Sequence, residues 1–147
     1  MFNNSRFMLA LIGVILIIES FGFVIFAQQI TEIMFPFSKN NPEALDLGIS
    51  LRYAMASGLF FLGMLLFICR GVTRSAAQRL LFSCGLGFVI VILSLTYLVF
   101  VRDVNVSKVI FIVHIILAFL AFYVSSRKFQ EWIETLTPLN LFNLKIS

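Results

Sequence analysis

"FMLALIGVILIIESFGFVIFA", residues 7–27, carries a single ionisable side chain, Glu19. A hydrocarbon core about 30 Å thick is crossed by about 20 apolar residues in a helix rising about 1.5 Å per residue. This stretch is long enough to cross, and three more runs qualify: 48–69, 80–101 and 109–126. Inside lipid no water satisfies backbone N–H and C=O groups, so each run must be a helix. A barrel would need many alternating segments of about 10 residues, and these runs do not alternate. The expected fold class is therefore all-α: an integral membrane four-helix bundle over residues 1–126, followed by a tail at 127–147.

Composition agrees with that reading. The chain is 147 residues long, 61% hydrophobic and 12% charged. A soluble domain is about 45–50% apolar and about 25% charged. The net charge of +4 does not imply nucleic acid, because the basic residues flank apolar runs instead of sharing a polar face. The expected partner is the lipid bilayer, with other membrane subunits or a second copy as further possibilities. Cys69 and Cys84 form no CxxC pair, and His114 is the single histidine. Thiol redox chemistry and a bis-histidine haem within this chain are thereby excluded, and no phosphate-binding glycine loop is present. Neither metal nor cofactor nor catalysis is expected. The first run lacks a small-residue cleavage site, so it reads as a span and not as a signal peptide.

Basic residues near the span ends set the expected orientation. Arg6, Arg70, Arg74, Arg79, Arg127, Lys128 and Lys145 fall on one side, against Lys39, Arg52, Arg102 and Lys108 on the other. Both termini are expected in the cytoplasm, in a bacterial inner membrane. The segment 28–47 is the one long connection, and it lies outside. Within it Asn41, Pro42 and Glu43 read as the N-cap, N1 and first turn of the second helix. "RGVTRSAAQR" (70–79) and "VRDVNVSK" (101–108) read as short turns. In the tail, Phe129, Trp132, Ile133 and Leu136 share one helical face, which predicts an interfacial amphipathic helix anchored by Trp132 and Phe129.

Four polar side chains fall at comparable depth. Glu19 lies about 12 Å from the outer end of its span, His114 about 8 Å, and Tyr97 and Arg52 about 6 Å each. Small-residue stripes point three of them inward. These are Arg52/Ala56/Leu59/Gly63 in the second span, Ser83/Gly87/Ile90/Ser94/Tyr97 in the third, and His114/Ala118/Ala121/Ser125 in the fourth. Small residues let helices approach closely, and polar ones bond across the interface. The expected site is a polar pocket of Glu19, Arg52, Ser94, Tyr97 and His114 in the outer half of the bilayer. A permanent Glu19–Arg52 pair is the preferred reading; an uncharged Glu19 and a working proton or cation site are the alternatives.

The layout is similar to the DoxX-like and related four-helix membrane families. A long first loop leads into "ALDLGISLRYAMASGLFFLGMLLF" (44–67), where Arg52 precedes the small pairs Ser57-Gly58 and Leu62-Gly63. The resemblance covers about residues 7–125. It implies a small bundle that assists or scaffolds membrane enzymes without catalysis of its own. Function is therefore expected to be of the accessory or scaffold type, with a lipid-like ligand in the outer pocket. The alternative is a proton-coupled small-molecule transporter using Glu19.

Overall fold

The structure is a computed structural model that describes residues 5–126. It is all-α, with no strand among the described residues. The helices are α1 (Ser5–Ile25), α2 (Ala27–Met34), α3 (Pro42–Ile68), α4 (Arg74–Arg102) and α5 (Lys108–Ser126), with 3-10 turns at Pro36–Asn40 and Cys69–Gly71. Four of them, α1, α3, α4 and α5, are long and apolar enough to cross a membrane. Their outward surface is apolar as well: Ile18, Phe61, Leu93 and Phe119 are all more than 60% exposed. Such a surface is at home in lipid and hostile to water.

The connection expected as a long loop at 28–47 is largely helical, which corrects the sequence reading. Phe26 leaves helical geometry (φ −107°, ψ 23°), yet the backbone bonds Phe26 N–H to Gly22 O (3.0 Å) and Ile30 N–H to Phe26 O (2.9 Å) carry the ladder across it. So α2 continues α1 beyond a bend. Thr31 Oγ1 donates to the Ala27 carbonyl (2.8 Å), a back-bond of the kind that bends helices. The bend turns Ala27, Thr31 and Met34, the buried face of α2, onto α3. There Thr31 touches Gly48, at a point where a Cβ would have no room.

At the start of α3 the expected cap is in place, since Asn41 Oδ1 accepts from Ala44 N–H at 3.1 Å and Pro42 follows at the first helical position. Asn41→Ala is expected to lower stability by about 1 kcal/mol, the usual worth of such a cap. Denaturant titration in mixed micelles, with helicity followed by circular dichroism, measures it.

The long helices pack as two antiparallel pairs. The first is α1 with α3, in register from Gly13 beside Gly63 through Ser20 bonded to Ala56 to Thr31 beside Gly48. At Gly13 and Gly63 backbone meets backbone: a Cβ on Gly13 would lie 2.7 Å from the Gly63 carbonyl oxygen. The second pair is α4 with α5, where Gly85 admits the Phe122 ring and Phe88 meets His114 edge to face. Arg6 Nε donates to the Val72 carbonyl (2.9 Å), which ties the start of α1 to the α3–α4 turn.

Apolar packing divides into two clusters along the helices. The larger one, towards the α3–α4 turn, centres on Leu9, Ile12, Leu16, Leu81, Leu117 and Ala121. The smaller one, at the α2 end, joins Met34 to Val104 and Val106 of the α4–α5 turn. That turn begins at Asp103, which adopts the left-handed conformation (φ 55°). Glu19, His114 and Arg52 lie between these clusters, whereas the buried Ser5 and Gln78 lie at the end of the larger one.

Candidate functional site

Glu19 projects from α1 into the region between the two clusters. Its Oε1 lies 3.9 Å from His114 Nε2, with the histidine side chain 7% and the glutamate side chain 20% exposed. The distance is within ion-pair reach but too long for a direct hydrogen bond. His114 is fixed from both sides. Its Nδ1 lies 2.9 Å from the Ile110 carbonyl oxygen, and Phe88 packs edge-on against the ring. A carbonyl only accepts, so Nδ1 must carry a hydrogen. Nε2 is then either a lone pair or an N–H facing the carboxyl group. With no proton on either group two acceptors face each other; one proton, on the carboxyl or on the imidazole, removes that opposition. Glu19 Oε2 is buried and has no hydrogen-bond partner.

Arg52 does not neutralise Glu19, which corrects the preferred sequence reading. Among the described residues the ion-pair contact of Glu19 is with His114, and Arg52 makes none. Register explains why. On the alignment set by Gly13/Gly63 and Ser20/Ala56, Glu19 falls opposite Ser57 and Arg52 opposite Val24. The two are thus about 7.5 Å apart along the axes. Side chains also lean towards the N-terminus of their own helix. In antiparallel helices these leans diverge, Glu19 towards the α3–α4 turn and Arg52 towards α2.

Soft groups surround Arg52 instead. It is 5% exposed. Nη2 lies 2.9 Å from Met34 Sδ, Nη1 lies 3.7 Å from Met55 Sδ, and the guanidinium carbon stands 5.8 Å from the centroid of Phe23. Nε is buried with no acceptor.

The third-span stripe faces outward, a second correction. Ser83, Gly87, Ile90 and Ser94 are exposed, and Tyr97 is 53% exposed, so Ser94 and Tyr97 do not join the pocket. The buried face of α4 is Ala77, Gln78, Leu81, Gly85 and Phe88. Both faces of α4 contain a glycine at helical spacing, so spacing alone could not choose. The partner decided it, because the Phe122 ring occupies the notch at Gly85. In α5, His114, Ala118 and Ala121 are buried, and in α3 Arg52, Ala56 and Gly63 are buried, as their stripes predict.

Sequence reasoning missed several neighbours. Ser20 Oγ donates to the Ala56 carbonyl at 2.7 Å, an interhelical bond one residue from Glu19. Its hydroxyl in an apolar span was the available signal. Met55 and Phe23 gave no signal, since a thioether or a ring in a span reads as lipid contact, and Met34 fell in the segment read as a loop. Trp132 and Phe129, the expected membrane anchors, lie outside the described residues. Among those residues no group of three or more histidine, cysteine, aspartate or glutamate side chains gathers.

No family model matches the chain, and no curated protein or solved structure is significantly similar to it.

Proposed function

We propose that the chain is a non-catalytic, multi-pass membrane protein of accessory or scaffold type that holds a lipid-like ligand against its buried polar layer. What carries the reading is that layer itself: Glu19, His114 and Arg52 lie between two apolar clusters, with Glu19 Oε2 and Arg52 Nε lacking partners. Ionisable groups at such depth are costly and mark functional positions by default. The basic residues favour cytoplasmic termini in a bacterial inner membrane, and the resemblance to DoxX-like bundles points to an assisting role beside other membrane subunits or a second copy. The test is purification in mild detergent with exhaustive washing, then mass spectrometry of the native chain. Retention of about one amphiphile per chain is expected. A folded chain that washes free of every lipid contradicts the reading.

A second reading, proton-coupled transport of a small molecule through Glu19, is favoured by one observation. The carboxyl group faces a histidine that can exchange a proton with it, not a permanent cation. Under that reading Glu19→Gln stops turnover in proteoliposomes and leaves the fold stable. Under the first, the same change shows itself as lost stability.

A further inference from the structure

Arg52 presents the hydrogen-bonding capacity of a buried cation to groups that barely use it. A guanidinium has five N–H donors in a planar fork, shaped to grip an oxyanion through two parallel bonds. Here two of its nitrogens face thioether sulfurs, which are weak acceptors, and Nε faces no acceptor. The side chain is 95% buried, from its 5% exposure. A buried charge is ordinarily paired with an opposite one, because desolvation costs more than weak contacts return.

Among the described residues the carboxylates are committed or turned elsewhere, and Asp103 is exposed at the α4–α5 turn. Glu19 faces His114. Glu32 on α2 accepts from Gln28 Nε2 at 2.7 Å. Glu43 and Asp46 are exposed at the start of α3. The cover over Arg52 is easily moved: Met55 is 42% exposed on the outward, apolar surface of α3, and a methionine changes rotamer without disturbing its neighbours. On its other sides the guanidinium meets Met34, which is buried, and the Phe23 ring.

We propose that Arg52 is the receptor for the oxyanion head of an anionic amphiphile, a phosphodiester or a carboxylate, which enters from the lipid side of α3 by displacing the Met55 thioether. The assignment rests on the ligand-binding reading above and names the chemistry of the head group. The head lies against the Arg52 fork, and the acyl chain lies along the exposed apolar face of α3 that carries Leu51, Met55 and Leu62.

The test uses the full chain in neutral phosphatidylcholine nanodiscs, titrated separately with dioleoylphosphatidylglycerol, oleate and inorganic phosphate. Saturable stabilisation by phosphatidylglycerol or oleate is expected, read as a rise in melting temperature. In Arg52→Gln the apparent Kd should weaken about 10- to 100-fold, the worth of a charge-assisted forked contact. Arg52→Lys, a cation without the fork, should fall between. An independent reading needs no variant: the Arg52 Nε–H resonance of the wild-type chain should shift with the anionic amphiphile and stay put with added phosphatidylcholine. Equal stabilisation of wild type and Arg52→Gln would overturn the role of Arg52 while leaving a lipid-like ligand in place. No response to any amphiphile would overturn both readings. A response to inorganic phosphate alone would assign the site to a soluble anion and overturn the lipid.

Discussion

Replacing Gly13 by leucine is expected to cost about 2–4 kcal/mol of stability, with Gly63→Leu close behind. A Cβ at Gly13 would stand 2.7 Å from the Gly63 carbonyl oxygen and 2.9 Å from the Phe67 amide nitrogen. A Cβ at Gly63 would meet the Gly13 carbonyl oxygen at 2.8 Å. The obstacles at Gly13 are backbone atoms, which cannot rotate away as the end of a side chain can. The two helices must part, and overpacking alone costs about 1–3 kcal/mol. Parting also stretches the 2.7 Å bond from Ser20 to the Ala56 carbonyl, for about 1 kcal/mol more. Gly58 supplies the control, because nothing lies within 4 Å of its Cβ position. Gly58→Ala should be neutral or raise stability by about 0.5–1 kcal/mol through helix propensity. Sodium dodecyl sulfate titration in mixed micelles separates the two outcomes. Equal behaviour at Gly13 and Gly58 would mean that α1 and α3 do not cross where backbone meets backbone.

His114→Leu is the second large effect, at about 3 kcal/mol. The imidazole is the ionisable partner of the Glu19 carboxyl group, and one oxygen of that carboxyl already lacks any hydrogen bond. Removing the imidazole leaves both oxygens unpartnered in an apolar setting. Losing one partner of a buried pair costs about 3–5 kcal/mol, and the 20% exposure of the Glu19 side chain puts this case at the lower end. Replacing both residues should behave differently. Glu19→Leu with His114→Leu substitutes apolar bulk for the whole pair, which is often neutral or better. The double variant is therefore expected to unfold near the wild-type midpoint, whereas the single His114→Leu variant unfolds well before it. A double variant as weak as the single one would show that the loss came from packing of the imidazole against Phe88, not from the carboxyl group.

The spans were legible in the sequence because length and apolarity are all that a bilayer demands. The cap at Asn41 was legible for the same kind of local reason: residue type at a fixed offset from a helix start. The helical character of 28–47 was not, since "AQQITEIM" is polar on one face and its burial depends on Gly48 of another helix. The site was legible in part. The inward direction of His114 and Arg52 followed from their stripes, but the assumption that comparable depth means contact failed for Arg52 and Glu19, which the register sets about 7.5 Å apart along the axes. Depth counts Cα positions, whereas contact depends on which way antiparallel helices tilt their side chains. Ser94 and Tyr97 failed for another reason. A helix with two glycine-bearing faces gives no sign of which one its neighbour will take, and that neighbour was a phenylalanine ring on α5.

Two double-mutant cycles, run side by side in the same micelles, measure whether the Glu19 carboxyl group answers to His114 or to Arg52. A coupling free energy of about 2–3 kcal/mol is expected between Glu19 and His114, and one within about 0.5 kcal/mol of zero between Glu19 and Arg52, as for residues without a shared partner. A large coupling to Arg52 with none to His114 would contradict the arrangement described and restore the ion pair that depth alone had suggested.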